Sequence, residues 1–78
     1  MKMSFYEKLC MAEIAIDMAM IIDEYNGDNR EAQLQKFEAL RNKVAEEVET
    51  GKYGQYIYDA VFDKSFDECV AIRRKARR

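Results

Sequence analysis

Residues 4–25, SFYEKLCMAEIAIDMAMIIDEY, decide how this chain folds. Ser4 and Glu7 have the S-x-x-E spacing of a capping box, in which the hydroxyl takes the third free amide and the carboxylate returns to the cap amide. Beyond them Phe5, Leu9, Ala12, Ile16, Ala19 and Met20 recur at three and four residues, one side of a 3.6-residue period. Ile14, Met18, Ile21, Ile22 and Tyr25 widen the apolar surface well past a single face, leaving a narrow polar strip at Glu13, Asp17 and Glu24. A helix apolar over most of its circumference has to be covered on several sides. The spacing predicts a helix from about Ser4 to Tyr25 that is the central helix, a subunit interface, or both. A homodimer or higher oligomer through this helix is the expectation, because a short chain has little else to cover it.

Asn26-Gly27 tolerate a left-handed cap and end the segment. The pattern restarts at Asp28 or Asn29, where Asp28 with Glu31 repeats the capping-box spacing and Asn29 is the other candidate cap. Leu34, Phe37, Leu40 (or Arg41), Val44 and Val48 then form a narrow stripe with Ala45 beside it, and Gln35, Lys36, Glu38, Asn42, Lys43, Glu46, Glu47 and Glu49 fill the remainder. A second helix over about Asn29–Glu49 follows, and the short connection makes the pair an antiparallel hairpin.

Two glycines in Thr50-Gly51-Lys52-Tyr53-Gly54 interrupt the pattern, Gly51 in a C-cap position. Residues 55–62 contain β-favouring side chains without strict alternation; Tyr53, Ile57, Ala60 (or Val61) and Lys64 fit helical spacing, and a lone strand would have nothing to pair with except a copy in a partner chain. Helix is the reading. Ser65 and Glu68 form a third S-x-x-E, marking either a kink or a fresh start, and Phe66, Cys69, Val70 and Ile72 run an apolar stripe into a basic end. The fold class is all-α: one domain spanning residues 1–78, a bundle of three or four helices built on the hairpin, with a basic segment at 73–78.

The 78 residues carry a formal charge of −2 that hides a gradient. Residues 1–72 hold 8 basic and 15 acidic side chains, a net of −7; Arg73, Arg74, Lys75, Arg77 and Arg78 supply the rest. Phosphate repels such a body, so nucleic acid is reachable only through the tail. The charge and the near 5.1 isoelectric point point instead to a basic protein surface as partner.

Catalytic chemistry finds little to stand on. With no histidine, His-based acid–base work, the Ser–His–Asp arrangement and His-bearing zinc motifs are excluded. Gly27, Gly51 and Gly54 build no phosphate loop. Cys69 follows Asp67 and Glu68, which favour the thiol, Cys10 has no base on its face, and both read as small core side chains. Glu13, Asp17 and Glu24, like Glu46, Glu47 and Glu49, read as solvent-facing acids rather than a metal cage. No cofactor, no metal and no enzyme activity is expected. Two cysteines without a disulfide framework fit a reducing compartment, and charges interrupt the first stretch too often for a membrane span or signal peptide, so the cytoplasm is the expected location.

What remains is binding. Tyr53, Tyr56, Tyr58, Phe62 and Phe66 are concentrated within 14 positions, and exposed tyrosine is a common interface anchor. The expected function is a small non-enzymatic binding or regulatory module, an acidic inhibitor or adaptor that occupies a basic surface on a larger protein. Glu46, Glu47, Asp59, Asp63 and Asp67 would act as phosphate-like charge, and Tyr53, Tyr56, Tyr58 and Phe66 as contact area. The alternatives are nucleic-acid association through Arg73, Arg74, Lys75, Arg77 and Arg78, or a purely structural homo-oligomer.

Overall fold

The computed structural model describes residues 2–76. They form four helices, α1 (Phe5–Asp23), α2 (Arg30–Glu49), α3 (Gln55–Val61) and α4 (Phe66–Ala76), with no strand among the described residues. The Ser4–Glu7 capping box is made in full: the Glu7 amide donates to Ser4 Oγ at 3.1 Å and the Ser4 amide donates to Glu7 Oε1 at 3.3 Å. Ser65 and Glu68 do the same for α4 at 3.2 and 2.9 Å, so the third spacing is a fresh helix start, and the last third of the chain is two short helices. At α2 the structure selects Asn29 as the cap residue, but its side chain does not cap. It turns back instead, Oδ1 accepting from the Asn26 amide at 3.0 Å and Nδ2 donating to the Glu24 carbonyl at 3.0 Å. Those bonds stitch the connection, whose reversal uses Gly27 at φ +93°, a conformation costly for any residue with a Cβ.

α1 and α2 are antiparallel, the end of one beside the start of the other: Gln33 Nε2 donates to the Ile21 carbonyl at 2.7 Å, while Glu7, at the opposite end, accepts from the Gly54 amide at 3.4 Å. Gln33 is buried, and its amide satisfies a carbonyl of α1's last turn that has no successor in the helix. Against the hairpin lie α3, which packs on both α1 and α2, and α4, which packs on α1.

Two apolar clusters hold the elements together. Ile14, Leu40, Val44, Tyr53 and Ile57 join α1, α2 and the approach to α3. Ile22, Phe37, Phe66 and Val70 join α1 and α2 to α4, with Phe37 edge-on to Phe62 at 5.9 Å and to Phe66 at 5.7 Å. The body measures 37 × 25 × 16 Å. With helices packing at about 8–10 Å between axes, the short dimension admits two layers. α1 is therefore covered on one side only.

Which side is covered reverses the emphasis of the periodicity. Ile14 and Ile22 point inward with Met11, Met18 and Ile21, whereas Phe5, Leu9, Ile16 and Met20, on the stripe with the clearest three-and-four spacing, point to solvent.

Candidate protein-interaction surfaces

Two faces of opposite character stand out. The first is the outer ridge of α2. Its inner side carries Gln33, Phe37, Leu40 and Val44, which places Glu31, Glu38, Glu46 and Glu49 on the far side with Gln35 and Asn42 between them. Glu38 meets Arg41 at 3.4 Å. Glu31, Glu46 and Glu49 make no ion pair among the described residues, and no basic side chain occupies the middle of the ridge; Lys36 and Lys43 lie along one border.

The second is the outer face of α1. Six large apolar side chains are more than half exposed among the described residues: Phe5 (75%), Tyr6, Leu9, Ile16 (60%), Met20 and Ile72. Five are on α1. The sixth, Ile72, comes from α4 and shares with Ala15, Ala19 and Ile22 a shallow groove of about 280 Å³ between the two helices.

The residues nominated from sequence are distributed differently from the expectation. Tyr53 and Phe66 are 6% and 4% exposed and belong to the two core clusters, so neither offers surface to a partner. Tyr56 is half-buried, its ring lying so close over Gly54 that a Cβ there would run into it. Its hydroxyl, the main cause, holds the Glu7 carboxyl below the usual carboxylate range, and Glu7 in return pushes the Tyr56 phenol up. Tyr58 is half-buried against Phe62, with ring centroids 5.1 Å apart.

Glu47 also differs from the reading that made it a free acid beside Glu46. It accepts from the Tyr53 hydroxyl at 2.6 Å and from Lys52 Nζ at 3.0 Å, and those donors, Tyr53 foremost, hold it below its ordinary value. The spacing explains this: Glu47 adjoins the Leu40–Val44 stripe, whereas Glu46 lies a further 100° round the helix. Asp59 is exposed and accepts from Gln55, Asp63 is beside Lys64 at 3.6 Å, and Asp67 takes Arg30 on both oxygens at 3.0 and 2.8 Å. Of the basic segment, Arg73 reaches Asp23 at 2.8 Å and ties α4 to the end of α1. Arg74 and Lys75 are exposed in the last turn of α4, where positive charge complements the helix dipole. Arg77 and Arg78 lie outside the described residues.

Cys10 and Cys69 are free and half-buried, and burial, with Glu68 and Asp63 adding, pushes the Cys69 thiol up. Among the described residues no three His, Cys, Asp or Glu side chains converge as a metal site would require, and no helix is long and apolar enough to cross a membrane.

Sequence reasoning missed Ile72 as surface and Glu31, Glu38 and Glu49 as one ridge. The ridge was readable, since these three and Glu46 are the acids farthest round α2 from Phe37 and Val44. Ile72 was not, because its exposure depends on where α4 lands on α1. The fold and its surfaces define a small all-α module with one acidic and one apolar face. No family model, curated protein or solved structure matches the chain.

Proposed function

We propose that the protein is a non-enzymatic binding module that sets its acidic α2 ridge on a basic surface of a larger protein, as an inhibitor or adaptor. The observation that carries this reading is the layout of charge: Glu31, Glu46 and Glu49 stand outward without an ion pair among the described residues, on a ridge whose basic neighbours, Lys36, Arg41 and Lys43, lie along its borders. Such an array steers approach to a positive surface, and it excludes partners of like sign. Asp59 adds exposed carboxylate on α3. The reading sets the protein in the cytoplasm, which its two unpaired thiols suit.

The test replaces charge without touching packing. Glu46→Lys with Glu49→Lys reverses the ridge, and Arg74→Glu with Lys75→Glu reverses the described end of the tail. Partners captured by the wild type from native lysate are then presented to both variants in stopped-flow association at two ionic strengths. The ridge variant should associate about tenfold more slowly, with a weaker salt dependence, and the tail variant no more slowly than the wild type. The opposite ranking, with nucleic acid among the captured material, favours contact through the tail and overturns the proposal.

A further inference from the structure

The outer face of α1 has a regularity that the ridge reading does not use. Phe5, Leu9, Ala12, Ile16, Ala19 and Asp23 follow one another at intervals of 4, 3, 4, 3 and 4 residues. This is the a/d spacing of a coiled-coil seam, with Leu9, Ile16 and Asp23 at a and Phe5, Ala12 and Ala19 at d. The helix keeps its own core at Ile14 and Ile22, so the seam is surplus to the fold of one chain. Its charged member, Asp23, is paired with Arg73. We infer that this face pairs with the same face of a second copy of this chain, the two α1 helices lying parallel.

Three observations select that occupant and that direction. The six exposed apolar side chains on and beside the seam amount to roughly 600–700 Å² per chain. That approaches the ~800 Å² that each partner contributes to a standard interface. The flanking charge fits a parallel pair. Lys8 is at a g position and Glu13 at the e position five residues on, so a parallel partner sets Lys8 of each copy against Glu13 of the other. Both side chains are exposed and neither makes an ion pair among the described residues. An antiparallel pair would set Glu13 against Glu13. Shape agrees as well. A parallel partner brings Met20 over Ala15, at the groove that Ala19 and Ile72 also line. The antiparallel arrangement turns groove to groove and leaves both hollow.

This face is separate from the acidic ridge, so the two proposals stand or fall independently. Sedimentation equilibrium of the full chain, from low to high micromolar concentration, should show a species of twice 9.2 kDa. Ile16→Glu, at a side chain already 60% exposed, should leave the circular dichroism spectrum unchanged and weaken association at least about 100-fold, because it sets two like charges in the seam. Lys8→Glu should weaken it about tenfold and Lys8→Glu with Glu13→Lys should restore it, since the swap re-forms both cross pairs. Leu9→Cys in a Cys10→Ser, Cys69→Ser background should cross-link to itself under mild oxidation, because a parallel seam places Leu9 beside Leu9. A monomer at every concentration overturns the inference, as does a trimer or larger assembly. Preferential bridging between Leu9→Cys and Ala19→Cys chains identifies an antiparallel pair and overturns the direction.

Discussion

The Tyr53 hydroxyl, 2.6 Å from Glu47, links the loop after α2 to the helix it has just left. Burial and this bond push the Tyr53 phenol far up, while the same bond holds Glu47 below its ordinary 4.5. A carboxylate lowered on folding contributes stability that is fully present above its unfolded value and is lost as pH falls through its folded value. Tyr53→Phe keeps the ring and removes the donor. It should cost about 1 kcal/mol at pH 7, and the difference from wild type should shrink as pH falls below 4.5 and through the folded value of Glu47, measured by urea unfolding across that range. A constant difference across that range would mean that the ring, not the bond, carries the effect. Helical spacing grouped Tyr53 with Ile57, and both are buried in one cluster, although Tyr53 lies in the loop before α3 rather than on the helix. Residue type misled, because a tyrosine-rich stretch reads as an interface until one knows that Glu47 waits inside for the hydroxyl.

At the level of elements, starts and stops were the legible part. Both complete capping boxes, at Ser4–Glu7 and Ser65–Glu68, are visible as spacing alone, and Gly27 and Gly51 do adopt positive φ where the pattern breaks. Ser65→Ala should therefore destabilise α4 by about 1 kcal/mol and speed hydrogen exchange at the Glu68 amide; Ser65→Asp, which retains the acceptor, should not. Protection at Glu68 unchanged in Ser65→Ala would mean that Phe66 packing alone holds the first turn. The hidden part was facing. α1 offers two apolar stripes, and its own periodicity cannot choose between them. The choice is made by α2, whose narrow stripe covers one helix face, and by α3 and α4, whose landing sites are set by tertiary packing.

On the scale of the whole molecule, Phe37 is the residue through which the elements meet. It is 1% exposed and touches both Phe62 and Phe66 edge-on. Truncating it to Ala should cost about 3–5 kcal/mol, a large share of the ~5–15 kcal/mol available to a folded domain, and a body this small sits near the low end. Phe37→Ala should lose its cooperative thermal transition by circular dichroism, and Phe37→Leu should keep one at lower temperature. A sharp transition in Phe37→Ala at the wild-type temperature would show that the cluster of Ile22, Phe66 and Val70 stands without its central ring.

The division of the interior into two clusters also sets what each part of the chain seals. Ile14, Leu40, Val44, Tyr53 and Ile57 all come from α1, α2, α3 and the loop before it, so that half of the interior is complete without α4. Ile22 and Phe37 are covered only when Phe66 and Val70 are in place. Fraying of α4 would thus open one compartment and leave the other closed, and the eleven-residue helix acts as the stopper of a single chamber.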